Sequence, residues 1–98
     1  MTINKSQNGD ELVYALEGAL DTTTSPDLQE DLDESMGGVH SIVFDFTDLN
    51  YISSSGLRVL LHAHKNMNNK GGVKIKNINE IVREVFEVTG FIDMLNIE

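Results

Sequence analysis

Along this chain, short apolar runs rich in β-forming residues alternate with stretches whose apolar residues recur every three or four positions. That alternation is the strongest constraint on the fold. Strands separated by helices return to one sheet as parallel neighbours, with the helices packed on its faces. The start of the chain is the exception. Gln7-Asn8-Gly9-Asp10 lies between two extended runs, and Asn-Gly is the preferred two-residue hairpin turn because both central positions take positive φ. Thr2 to Ser6 and Leu12 to Leu16 are therefore expected to pair antiparallel. Leu12, Tyr14 and Leu16 fall on one face, while Val13 and Ala15 suggest partial cover on the other.

Gly18-Ala19-Leu20-Asp21 ends the second strand, and polar Thr22 to Ser25 leads into a helix. Ser25 suits the N-cap and Pro26 the first helical position. Leu28, Leu32 and Met36 follow at helical spacing until Gly37-Gly38, and the acids between them read as a solvated face. Ser41 to Phe46 reads as a central strand. After Tyr51-Ile52-Ser53-Ser54-Ser55-Gly56 comes a clear amphipathic helix. Its inner stripe is Leu57, Leu60, Leu61, His64 and Met67, and Gly71-Gly72 closes it. Val73 to Lys76 alternates as a strand. Asn79 can cap a further helix that buries Val82, Val85 and Phe86 and ends at Gly90, with Phe91 in the hydrophobic contact of such an ending. Met94 to Ile97 offers an optional last strand. The expected fold is a single α/β domain over residues 1–98 in the order β-β-α-β-α-β-α. It has three main helices and a mixed sheet of four to five strands.

Composition then narrows the function. The chain has 98 residues, room for one core and not for a second lobe around a substrate. Sixteen acids against seven bases give a formal charge of −9. This disfavours nucleic acid and anionic membranes, both of which require clustered Lys and Arg, and favours a partner with a basic face. Cysteine is absent, which excludes disulfides, thiolate catalysis and Cys-ligated zinc. The longest apolar runs, such as Ile42-Val43-Phe44, are too short for a membrane span or a signal-peptide core. A cytoplasmic location is expected.

The serines Ser53, Ser54 and Ser55 lie between a buried strand and the amphipathic helix. One reading is capping, in which Ser53 or Ser54 accepts a hydrogen bond from the first turn. Another is a switch, because the N–H groups and dipole at a helix N-terminus favour an added phosphate. Asp45 and Asp48 together suggest a phospho-aspartate or metal-dependent enzyme, but no accompanying lysine or further carboxylate motif supports it. His62 and His64 are two apart and diverge on a helix, unlike the four-residue spacing of helical zinc sites. No nucleophile elbow or phosphate-cradling glycine loop occurs. Neither a metal nor a cofactor is implied.

The stretch from Asp45-Phe46-Thr47-Asp48 through Ser53-Ser54-Ser55-Gly56-Leu57-Arg58 to Leu61 resembles the signature of STAS domains, specifically the bacterial anti-sigma factor antagonists. Gly18-Ala19-Leu20-Asp21 resembles that family's Gly-x-Leu-Asp loop. Lys70-Gly71-Gly72 and Val85-Phe86-Glu87-Val88-Thr89-Gly90-Phe91 match its later landmarks. The resemblance implies a binding protein rather than an enzyme. Its unphosphorylated form would engage an anti-sigma factor that is also a serine kinase, freeing a sigma factor for transcription. Phosphorylation would break the complex and a phosphatase would reset it. Alignment on Gly56-Leu57 puts the acceptor at Ser54, with Ser53 and Ser55 as rivals, since the family's frequent Asp is replaced here by Ser53. The implied docking surface comprises Asp21, Thr22, Ser53, Ser54, Ser55, Gly56 and Arg58. The free protein is expected to be monomeric. The alternative within the family is an interaction scaffold whose serines serve only as a cap.

Overall fold

The computed structural model describes residues 1–98. A tight turn joins β1 (Thr2–Asn8) to β2 (Glu11–Leu20), and the two strands pair antiparallel from Thr2↔Glu17 to Asn8↔Glu11. The turn is one residue later than the Asn-Gly pair suggests. Gly9 and Asp10 are its central residues, and of these only Gly9 has positive φ, at 65°. That sign pattern is that of a type II′ turn, with glycine first, rather than type I′. Both strands are accordingly longer than the alternation indicated.

After β2 the chain runs through α1 (Ser25–Ser35), a 3₁₀ turn (Met36–Gly38), β3 (Ser41–Ile52), α2 (Ser54–Met67), β4 (Gly72–Lys76), α3 (Glu80–Thr89), the single-turn α4 (Phe91–Met94) and β5 (Asn96–Ile97). The five strands lie in the order β1-β2-β3-β4-β5, and all pairings after the first are parallel. Each crossover thus advances one position the same way, and the right-handed preference of such crossovers puts the helices on one face. The core agrees. Leu12, Tyr14, Leu16, Ile42, Phe44, Phe46, Val73 and Ile75 from the sheet join Leu28, Leu32, Leu57, Leu60, Val82 and Phe86 from the helices in one buried cluster. On the other face Val13 and Ala15 are half-exposed, and Val43 is buried outside that cluster.

β3 departs most from expectation. It runs 12 residues, twice the apolar stretch that ends at Phe46. Its pairing with β2 slips between Ala15 and Glu17, and again between Gly18 and Ala19, each slip adding one residue on β3. Each β-bulge resets which side chains point inward. Buried positions therefore pass from Phe46 to Leu49 and then to Ile52, at intervals of three that break the two-residue period of a strand. Asp45 holds the first irregularity. Its carboxylate accepts from Thr47 N (3.0 Å), Thr47 Oγ1 (2.6 Å) and Asn77 Nδ2 (3.0 Å). These bonds from Thr47 and Asn77 outweigh partial burial and hold the carboxyl below its usual range.

The helix ends mix agreement with correction. Asn79 caps α3 by accepting from Val82 N at 2.8 Å, and Gly90 closes it in the left-handed conformation. Ser25, expected as the cap of α1, is instead its first residue and is buried; Thr24 holds the cap position. In α2, Leu57, Leu60 and Met67 are buried as expected and Val59 and Ala63 join them, whereas Leu61 and His64 are only half-buried.

The bulged register makes Leu49 a core residue and its neighbour Asp48 a surface one. Leu49→Ala should lower unfolding free energy by about 2–5 kcal/mol, and Asp48→Ala should stay within about 0.5 kcal/mol of wild type. Urea denaturation checks both, and equal effects at the two positions would contradict the register.

Candidate functional site

The ends of β2 and β3 lie side by side, with Leu20 paired to Ile52, and the next residue turns the chain into α2. Ser53 N donates to Leu20 O at 2.9 Å, which ties the turn to β2. Ser53 is extended at the N-cap, and its Oγ accepts a long 3.4 Å bond from Gly56 N. Ser54 is exposed as the first helical residue. Ser55 is half-buried and faces the preceding loop, its Oγ 3.2 Å from Thr22 Oγ1. Gly56 sits against the strand ends. A Cβ there would lie 2.8 Å from both Ile52 Cγ1 and Leu20 Cγ and 2.9 Å from Leu20 O, so no larger residue fits without displacing backbone.

The Asp21 loop beside this turn is held from within. Asp21 Oδ1 accepts from Thr24 N and Thr23 N, each at 3.0 Å. Asp21 N donates to Thr24 Oγ1 (2.9 Å), which in turn donates to Ala19 O (2.8 Å). Ser25 N donates to Asp21 O at 2.8 Å. This tight turn moves the first helical residue back to Ser25. The donation from Thr24 N leads the interactions that hold the Asp21 carboxyl below its ordinary range.

Between the loop and the two helices lies an open groove of about 480 Å³, lined by Thr22, Ser25, Pro26, Gln29, Ser55, Arg58, Val59 and His62. Three of the seven residues singled out in the sequence for docking, Thr22, Ser55 and Arg58, meet in this groove. Ser53 and Ser54 precede Ser55 at the helix start without lining the groove, and Gly56 lets α2 approach the sheet. Asp21 shapes the loop, but its carboxylate is occupied by its own backbone. Asp45 is engaged with Thr47 and Asn77, and Asp48 is exposed beside Glu17 in the register. His62 reaches Asp33 at 3.4 Å, while His64 is half-buried on the same helix. No group of three or more His, Cys, Asp or Glu is arranged to hold a metal ion. What the sequence did not reveal is the α1 wall: Pro26 and Gln29, and the buried Ser25 Oγ, which has no hydrogen-bond partner. Their only signal was position, one turn after the Asp21 loop.

The STAS domain model matches residues 2–98. The chain belongs to the STAS family. It is 33% identical over 85 residues to BtrV of Bordetella bronchiseptica, covering 85% of this chain and 73% of that protein. It is 26% identical over 98 residues to the anti-sigma-B factor antagonist of Bacillus subtilis, covering 99% of this chain and 90% of the relative. Among solved structures, the fold matches SpoIIAA in its unphosphorylated form, with a TM-score of 0.78 at 19% identity over 99% of this chain and 87% of the other. It matches the phosphorylated form of Bacillus SpoIIAA with a TM-score of 0.77 at 20% identity, covering 99% and 91%. The STAS fold of this chain is thus a five-stranded mixed sheet with four helices.

Two outcomes follow from the site. Gly56→Ala should destabilise the chain by about 1–3 kcal/mol through overpacking against Leu20 and Ile52, outweighing the gain of up to about 1 kcal/mol that alanine brings to a helix; a raised denaturation midpoint would contradict the close approach. Asp21 is depressed in the folded state, so its contribution to stability is present above the ordinary carboxylate pKa and is lost as pH falls through the folded value. Asp21→Asn should therefore lose less stability than wild type on acidification through that window, as read by thermal melts, and the Asp21 carboxyl should titrate below the ordinary carboxylate range by NMR.

Proposed function

We propose that this STAS domain is an anti-sigma factor antagonist. Its unphosphorylated form docks an anti-sigma factor that is also a serine kinase and frees a sigma factor, and phosphorylation of Ser54 ends the complex. The observation that carries the reading is the division of labour among three adjacent serines. Ser53 Oγ is engaged in capping and Ser55 Oγ faces Thr22, whereas Ser54 is exposed. The name of the Bacillus subtilis relative, an anti-sigma factor antagonist, supports the role, and the existence of SpoIIAA in both phosphorylation states supports the switch. That name describes antagonism of another protein, a binding role rather than a catalytic one.

In the transfer, Ser54 Oγ bonds to the γ-phosphorus of the kinase's ATP. Its proton passes to a base of the kinase and ADP leaves. The phosphate adds about −1.5 to −2 charges. At the helix N-terminus this gains about 0.3–1 kcal/mol, so the fold survives. Within a docked interface the same group must be desolvated and meets fixed contacts, at several kcal/mol. A penalty of about 3–4 kcal/mol weakens binding roughly a hundred- to a thousandfold. The interface effect is larger, and the switch acts on binding. Asp21, Thr22, Ser53, Ser55, Gly56 and Arg58 frame the docking surface around Ser54. A phosphatase restores the hydroxyl. No helix of the chain is long and apolar enough to cross a membrane, and a sigma-factor circuit operates in the cytoplasm, where the free domain acts as a monomer.

The test is incubation with an anti-sigma kinase and ATP, followed by mass spectrometry to locate the phosphate. Acid-stable phosphate on Ser54 is expected. Phosphate on Ser53 or Ser55 would move the switch, and its absence with a kinase that binds the domain would leave the serines as a cap on a scaffold. In the same assay Ser54→Asp should keep the circular dichroism spectrum and weaken kinase binding roughly a hundredfold or more, while Ser54→Ala binds like wild type.

A further inference from the structure

Helix α3 buries Val82 and Phe86 completely, yet it carries a second apolar line facing outward. Ile81 is 58% exposed and Val88 81% exposed, and with half-buried Val85 they recur at i, i+4 and i+7. Single exposed apolar residues are ordinary, whereas three on one helix face around a hollow mark an interaction surface. Ile81, Val85 and Val88, with Glu84 and Thr89, line a shallow groove of about 260 Å³. It shares no residue with the groove beside Ser54.

The charges next to this line indicate what covers it. Glu80, Glu84 and Glu87 are exposed at the same i, i+4, i+7 spacing. At 3.6 residues per turn they form a row along the solvent side of the apolar line, while Arg83, the helix's one base, falls on the far side. A second copy of the chain fits poorly. Antiparallel pairing of two α3 helices about a twofold axis sets both glutamate rows on the same side, and each chain carries a formal charge of −9. An amphipathic helix with an apolar i, i+4, i+7 face and a flanking row of Lys or Arg satisfies both features at once. We propose that the outer face of α3 is a second docking surface, built for a basic amphipathic helix of a partner protein and independent of the Ser54 turn.

The probe is a synthetic helical peptide with leucines at i, i+4 and i+7 flanked by lysines, titrated into the full ¹⁵N-labelled chain, with a glutamate-flanked peptide as control. The expected result is amide shifts centred on α3 for the lysine peptide alone. Its affinity should fall about tenfold or more in Val88→Ser and in the double variant Glu84→Lys, Glu87→Lys, and should be unchanged in Ser54→Asp. Because Val88 and both glutamates are exposed, the variants should fold, which their amide spectra report directly. Shifts centred on the acidic face of α1, or equal binding of the two peptides, would overturn the proposal. So would a wild-type dimer that Val88→Ser converts to monomer, since a second copy would then occupy the face. Ser54→Asp separates this proposal from the phosphorylation switch, because failure of one leaves the other readout intact.

Discussion

Where α2 meets the sheet, the space for a side chain at Gly56 is already filled by Leu20 and Ile52. That contact, with the bond from Ser53 N to Leu20 O, fixes three things together: the ends of β2 and β3, the start of α2, and the position of the Asp21 loop that follows Leu20. Everything in the proposed docking region is placed relative to it. The serine hydroxyls differ in their surroundings because the helix begins there and not one residue to either side. Ser53 faces back toward Gly56, Ser55 faces across to Thr22, and Ser54 faces outward.

Much of this was legible from residue patterns because the local signals agreed with one another. Asn79, Gly90 and the spacing of Val82 and Phe86 all point to the same helix, and the structure has it. Consistency of this kind makes a sequence specify one fold. The failures occur where tertiary pairing overrides a local period. The strand pattern stops at Phe46 because the inward residues of the run to Ile52 are three apart. Only the partner strand, through two bulges, makes that run a strand. The hairpin turn moved by one residue because the register between β1 and β2 decides the central pair, and Asn-Gly does not.

The candidate site was legible in a different way. The order of the serines and their place before an amphipathic helix were visible, and a family resemblance ranked them. Invisible was the wall that α1 contributes. Ser25 and Pro26 read as a capping pair, whereas the Asp21 turn starts the helix one residue earlier and leaves Ser25 inside it and buried. A side chain whose role depends on a loop closing elsewhere leaves no periodic trace. The outward apolar line of α3 is equally hidden, since Val85 lies at core spacing with Val82 and Phe86, and Ile81 and Val88 carry no local signal of a second face.

The Asp21 loop satisfies its own carboxylate, hydroxyl and amide groups without help from another molecule. Such a segment has little left to order when a partner arrives, so the entropy lost on association is confined to side chains and overall tumbling. Encounter can then proceed as the meeting of two rigid bodies, and differences among complexes will be expressed mainly in how long they persist. A covalent mark on the neighbouring rim is suited to that arrangement, because it can shorten the lifetime of a complex without having to remodel the surface that forms it.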